Sequence, residues 1–130
     1  MEGRLKLVIL DDDEIFAALM TAALEEEFDI VVGHNGLQGI ALCLEGGISA
    51  VVTDLGMPEF DGLQMLKRFQ KDPRLSGIPV VVVTATHFTN LSRQEVSRYT
   101  QVKRMLSKTT NIDILAGEVK TVLREAGAPC

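Results

Sequence analysis

The sequence predicts an α/β domain in which a five-stranded parallel sheet carries helices on both faces. Three observations lead there. Short apolar runs alternate with amphipathic stretches along the chain, in five β/α units. The run at 79–84 is Val-rich throughout, as expected of a strand buried on both faces of a parallel sheet. With 130 residues, 46% of them hydrophobic, the chain suits one packed domain and is too short for two.

Each element can be read in turn. Leu5–Leu10 is a buried strand. Glu14–Glu27 follows as a helix, with Ile15, Phe16, Leu19, Ala22 and Ala23 at helical spacing. Asp29–Gly33 is the second strand. Gly36–Glu45 is a helix with Ile40, Cys43 and Leu44 on one side, and Gly46-Gly47 stops it. Ala50–Thr53 is the third strand. Asp61–Lys71 is the third helix, with Leu63, Leu66 and Phe69 inward, ending before Pro73. Pro79–Thr84 is the fourth strand and Leu91–Tyr99 a more polar helix. Val102–Ser107 and Ile112–Ala126 complete the alternation. Right-handed crossovers between parallel strands then place helices on both faces.

Charge and composition exclude several classes. A formal charge of −5 argues against a domain built mainly to neutralise nucleic-acid phosphates. No apolar run nears the ~18 residues of a membrane span, and the first residues do not form a secretory signal. Cys43 and Cys130 match no metal or redox spacing, so a reduced, cytoplasmic setting is expected. The charge is unevenly spread. Residues 1–62 carry 13 acids and 2 bases, residues 63–130 carry 5 acids and 11 bases. Lys67, Arg68, Lys71 and Arg74 read as a solvated helix face. Arg93, Arg98, Lys103 and Arg104 read as solvated too, or as a surface for an acidic partner.

In parallel sheets of this kind, ligands bind beyond the carboxyl ends of the strands. Strand one ends in Asp11-Asp12-Asp13-Glu14, strand three in Asp54, strand four in Thr84-Ala85 and strand five in Ser107-Lys108. The fold thus gathers several carboxylates, a hydroxyl and an ammonium at one edge. Clustered carboxylates ionise together only beside a cation. Oxygen-only donors suit Mg²⁺ rather than zinc. Thr84 and Lys108 suit a phosphoryl group, and an Asp carboxylate can act as nucleophile to give an acyl phosphate. Taken singly these residues have plainer readings: Asp11–Glu14 as a helix cap, Asp54 as a turn residue, Thr84 as a β-former, Lys108 as a solvated charge. Only their joint pattern points to a site.

The strings Val8-Ile9-Leu10-Asp11-Asp12-Asp13, Thr53-Asp54-Leu55-Gly56-Met57-Pro58-Glu59-Phe60-Asp61-Gly62, Val81-Val82-Val83-Thr84-Ala85 and Met105-Leu106-Ser107-Lys108 resemble the receiver domain of two-component response regulators. The resemblance implies a flavodoxin-like three-layer sandwich with strand order 2-1-3-4-5. It implies Asp54 as acceptor of a phosphoryl group from a sensor histidine kinase, with no other enzymatic activity. Asp12, Asp54 and the Gly56 carbonyl would ligate Mg²⁺ directly, and Asp11 through water. Thr84 would bond the phosphoryl group and move toward it, and Lys108 would pair with a phosphoryl oxygen. Asp13 would begin the first helix, outside the metal shell. Gly56 and Thr86 would border the attacking water. The face made of the fourth helix, fifth strand and fifth helix would then change affinity for a downstream protein or a linked output domain, or pair two copies.

Three positions depart from the family pattern. Lys108-Thr109 stands where Lys-Pro, often cis, is usual. A non-proline cis bond costs about 3 kcal/mol, which predicts a different loop or stored strain. Met105 occupies the place of an aromatic switch residue, where a flexible thioether can fill the same gap. The polar stretch Thr86–Asn90 lengthens the fourth loop. Residues 1–126 are expected to form the receiver and 127–130 a tail or linker start, in a stand-alone regulator or a receiver cut from a longer chain. Two other readings compete. Asp11-x-Asp13 partly fits an aspartyl-nucleophile phosphohydrolase of the haloacid dehalogenase kind, and a pseudo-receiver scaffold would take no phosphoryl group.

Overall fold

A computed structural model describes residues 4–85 and 90–127. Its strands are β1 (Lys6–Leu10), β2 (Asp29–Gly33), β3 (Ala50–Thr53), β4 (Val80–Thr84) and β5 (Val102–Ser107). They alternate with helices α1 (Glu14–Leu24), α2 (Gly36–Leu44), α3 (Gly62–Gln70), α4 (Asn90–Ser97) and α5 (Ile112–Gly127). All strands are parallel, in the order β2-β1-β3-β4-β5. β1 therefore pairs with β2 on one side and β3 on the other, Leu10 meeting Gly33 and Thr53. The chain reverses its direction of winding there, which leaves a crevice beyond the carboxyl ends of β1 and β3.

Alternation along the strands divides the core into two layers. Leu7, Ile9, Ala50, Val52, Val81 and Val83 pack with α1 and α5, around Met20, Leu24, Leu115, Val119 and Leu123. Val8, Leu10, Val51, Val80 and Val82 pack with α2, α3 and α4, around Ile40, Met65, Leu66, Phe69 and Val96. The Val-rich β4 is buried at every position, as its sequence predicts.

The helices start where polar side chains take up free backbone N–H groups. Asp13 accepts from the N–H groups of Ile15 and Phe16, Asn35 from Gln38, and Asp61 forms a reciprocal capping box with Gln64. Gly46 and Gly47, with φ of 89° and 79°, follow the end of α2 as expected. Gly39 matters for close packing instead. A Cβ there would overlap the Leu10 side chain and stand 2.8 Å from the Met65 sulfur. Its lack of a side chain lets α2 lie close on β1.

Two inward faces differ from expectation. On α1 the buried residues are Ala17, Met20 and Leu24, with Phe16 and Ala23 half-buried, while Ile15 is 76% and Leu19 51% exposed. Both sets of positions fit a 3.6-residue repeat, and the larger side chains at 15 and 19 point away from the sheet. On α2, Ile40 and Cys43 are buried but Leu44 is exposed.

A buried amide near the other end of the sheet went unnoticed in the sequence. Gln101, 3% exposed, donates to the carbonyls of Leu75 and Ile78 at 3.1 and 2.8 Å. It also accepts from Gln70 at 2.6 Å. It fixes the α3–β4 connection against the start of β5.

Candidate functional site

The carboxyl edge brings together Asp11 after β1, Asp54 after β3, Thr84 at the end of β4 and Lys108 after β5. Asp54 is buried, and its side chain is fully engaged. Its Oδ1 accepts from the backbone N–H groups of Leu55 and Gly56 at 2.7 and 3.3 Å, and from the Thr84 hydroxyl at 2.8 Å. Its Oδ2 accepts from Lys108 Nζ at 3.0 Å. The same ammonium lies 2.8 Å from Asp11 Oδ2 and 3.1 Å from Asp11 Oδ1. Lys108 thus bridges the two buried carboxylates, and its own N–H donates to the Thr84 carbonyl at 2.9 Å.

Electrostatics follow from this packing. Asp11 is 2% exposed, and burial raises its pKa above the ordinary aspartate value despite the bonds from Lys108 and from the Asp13 N–H. For Lys108, burial alone would lower the pKa. The hydrogen bonds and charges of Asp11 and Asp54 outweigh it, and the ammonium titrates above the usual lysine value. Asp12 is exposed beside them, and Asp11, Asp12 and Asp54 offer oxygens all within 4.8 Å of one another. Three carboxylates against one ammonium leave two negative charges uncompensated, as a divalent, oxygen-preferring cation requires. The donor set fits Mg²⁺. Gly56 is exposed, with open space where a side chain would stand.

The other predicted residues take distinct places. Asp13 turns to cap α1 at 3.1 and 3.2 Å from the Ile15 and Phe16 nitrogens. This removes from the cluster the second carboxylate that the phosphohydrolase reading needs. Met105 pairs in register with Val82, on the face of the sheet that carries Thr84, and packs half-buried against the core. A hollow of about 160 Å³ beside it is lined by Val96, Ser97, Val102, Lys103 and Arg104 as well. No described peptide bond is cis, so Lys108-Thr109 is trans. Here Ser107 Oγ accepts from the Thr109 N–H at 3.2 Å and contacts the Thr109 hydroxyl at 2.8 Å. A proline lacks that N–H, so this turn is shaped by a donor the usual sequence does not have. Arg104 joins β5 to α5 through Glu118 at 2.9 Å and Glu125 at 3.7 Å, and Arg74 clamps Asp72. Thr86 to Thr89, expected to lengthen the fourth loop, lie outside the described residues.

The sequence marks one contributor only as part of the turn after the acceptor strand, and another only as an apolar helix position. Gly62 lies against the acceptor turn: a Cβ there would overlap the Asp54 carbonyl oxygen and stand 3.1 Å from Leu55 Cα. Phe16 presents its ring to Lys108, with Nζ 5.0 Å from the centroid. Each depends on proximity across the fold, which local pattern does not report.

A parallel 2-1-3-4-5 sheet with an acidic cluster, a hydroxyl and a lysine at its carboxyl edge defines a class, and the sequence supplies the family. Residues 7–120 match the response regulator receiver domain, so the chain belongs to that family, a module of two-component signalling. It is 28% identical over 122 residues to the uncharacterized transcriptional regulatory protein YkoG of Bacillus subtilis, covering 93% of this chain and 52% of that protein. It is 26% identical over 121 residues to the polar-differentiation response regulator DivK of Brucella anthropi, covering 92% and 97% of the two chains. The signal receiver domain of a signal transduction histidine kinase from Syntrophus aciditrophicus shares its fold, with a TM-score of 0.83 at 21% identity over 96% of this chain and 94% of that one. The chain spans about half or less of several transcriptional regulators that it matches. Among the described residues, no helix is long and apolar enough to cross a membrane.

Proposed function

We propose that Asp54 is the phosphoacceptor of this receiver and that a sensor histidine kinase in the cytoplasm is its donor. The observation that carries the reading is the engagement of the Asp54 carboxylate by Thr84, Lys108 and two backbone N–H groups. In the transfer, an Asp54 oxygen attacks phosphorus, a P–O bond forms, and the P–N bond to the donor imidazole breaks with its electron pair going to nitrogen. The Lys108 ammonium and Thr84 hydroxyl exchange a carboxylate oxygen for a phosphoryl oxygen as charge builds there. Asp11, Asp12, Asp54 and the Gly56 carbonyl would hold Mg²⁺, which neutralises phosphoryl charge when bound.

The consequence is a change of partners rather than further chemistry. When the Thr84 hydroxyl leaves Asp54 for a phosphoryl oxygen, the end of β4 shifts. Met105, beside its hollow, is an adaptable side chain able to follow. The α4–β5–α5 face then changes affinity for a downstream protein, a linked output domain or a second copy. The receiver includes all of α5, which runs one residue past the expected boundary, to Gly127. Ile15 and Ile114, exposed in the first turns of α1 and α5, offer apolar surface near the site for a donor protein.

The test is intact mass after incubation with acetyl phosphate and Mg²⁺. The chain should gain one phosphoryl group (about 80 Da), and Asp54→Ala should gain none. An adduct retained in the variant contradicts the reading, and no adduct or metal binding in the parent points to a scaffold.

A further inference from the structure

Lys108 has a partner that carries no charge. Its Nζ lies 5.0 Å from the centre of the Phe16 ring while it bonds Asp11 and Asp54. Phe16 itself is fixed at both ends. Its backbone N–H donates to the Asp13 carboxylate at 3.2 Å, and the Asp13 N–H donates to Asp11 Oδ1 at 2.9 Å. Its side chain packs half-buried against the core shared by α1 and α5. Asp11, Asp13, Phe16 and Lys108 therefore close a circuit. One carboxylate holds the turn, the turn places the ring, and the ring faces the ammonium that returns to the same carboxylate.

We propose that Phe16 is a positioning residue for Lys108, a ring platform that keeps the ammonium over Asp54 when its carboxylate partners change. The inference rests on the reading of Asp54 as phosphoacceptor. Phosphoryl transfer requires Lys108 to exchange a carboxylate oxygen for a phosphoryl oxygen. During that exchange its ionic partners are in motion, and a four-carbon stem is free to swing toward solvent. The face of an aromatic ring attracts a cation without competing for its hydrogen-bond donors. It thus holds the ammonium in place before and after the exchange. A leucine at 16 would fill much of the same space and offer no quadrupole, and a tyrosine would preserve the ring face.

A double-mutant cycle tests this on the full chain. The rate of adduct formation from acetyl phosphate with Mg²⁺ is compared for the parent, Phe16→Leu, Phe16→Tyr, Lys108→Ala and the Phe16→Leu/Lys108→Ala pair. Phe16→Leu should slow the parent about 5-fold, Phe16→Tyr should stay within about 2-fold, and Phe16→Leu should add nothing once Lys108 is gone. Equal slowing in the Lys108→Ala background would overturn the proposal, because Phe16 would then act through packing alone. Proton NMR of the parent gives a second readout that needs no variant to fold. The Lys108 ε-methylene should be displaced upfield by the ring, and an ordinary lysine position would overturn the contact. If the parent forms no adduct, the phosphoacceptor reading fails and the positioning role falls with it. An adduct formed with no effect at residue 16 overturns the positioning role alone.

Discussion

The two edges of the sheet bury polar groups in opposite ways. Near the amino ends of β4 and β5, Gln101 satisfies two carbonyls and a neighbouring amide, all neutral and all fixed. At the carboxyl edge, Asp11, Asp54 and Lys108 bury charges that exceed their compensation, and each bond there can pass to another partner. A neutral, satisfied amide holds a fold together. An under-compensated cluster costs stability in the resting protein and, on the proposed function, makes room for a cation and a phosphoryl group. Stability and chemistry are thus separated by the length of the strands.

The sharpest way to break that comparison is at Gln101. Replacing it by leucine leaves the Ile78 carbonyl without its donor and the Leu75 carbonyl with the Ile78 N–H alone, at a cost of about 3 kcal/mol. The melting temperature should fall by roughly 10 °C, while the rate of adduct formation in the folded protein should hold within about 2-fold. Loss of phosphorylation in folded Gln101→Leu protein would show that the edges are coupled.

Asp11 gives the opposite effect. Burial raises its folded-state pKa above its unfolded value, so the folded protein binds that proton more tightly. The carboxyl therefore favours the fold at acid pH, and this is lost as pH rises from the ordinary aspartate range through the raised folded value. Above that window the ionised group opposes folding. Asp11→Asn should stabilise the metal-free protein at pH 7, and the gain should vanish as pH falls below about 4. Denaturant midpoints across this range check the sign. Added Mg²⁺ should stabilise the parent more than the variant.

A smaller effect is expected at the rim of the site. Glu59 has φ of 67°, in a tight turn where the Phe60 N–H donates to the Pro58 carbonyl at 2.7 Å. Glycine accepts this conformation without the steric cost a side chain incurs, though it gives up more chain entropy. Glu59→Gly should raise stability by about 0.5 kcal/mol, read as a shift in the urea midpoint with an unchanged slope.

The element order was legible because its signals are local. Apolar runs, the Gly46-Gly47 stop and the helix starts at Asp13 and Asp61 need only neighbours in sequence. The cluster of Asp11, Asp12, Asp54, Thr84 and Lys108 was legible because parallel strands must end together, so their terminal residues must meet. What depends on close approach across the fold was not. The α1 pattern admits two faces, and Ile15 and Leu19 suggested the wrong one. Gly39 and Gly62 read as ordinary helix-start or turn residues, yet each admits a neighbour that a Cβ would displace. Gln101 carries no spacing rule, and helical spacing marks Phe16 as apolar without pointing its ring at Lys108. Their roles exist only once β5 lies beside the α3–β4 connection and α1 beside the loop after β5.

The proposed function directs a phosphoryl group to one carboxylate among several neighbours, and that selectivity is open to direct measurement. Borohydride reduction of the phosphorylated chain, followed by peptide sequencing, marks the acceptor, because an acyl phosphate on aspartate is reduced to homoserine. Homoserine at position 54 alone is the expected result. Homoserine at position 11, 12 or 13 would contradict it.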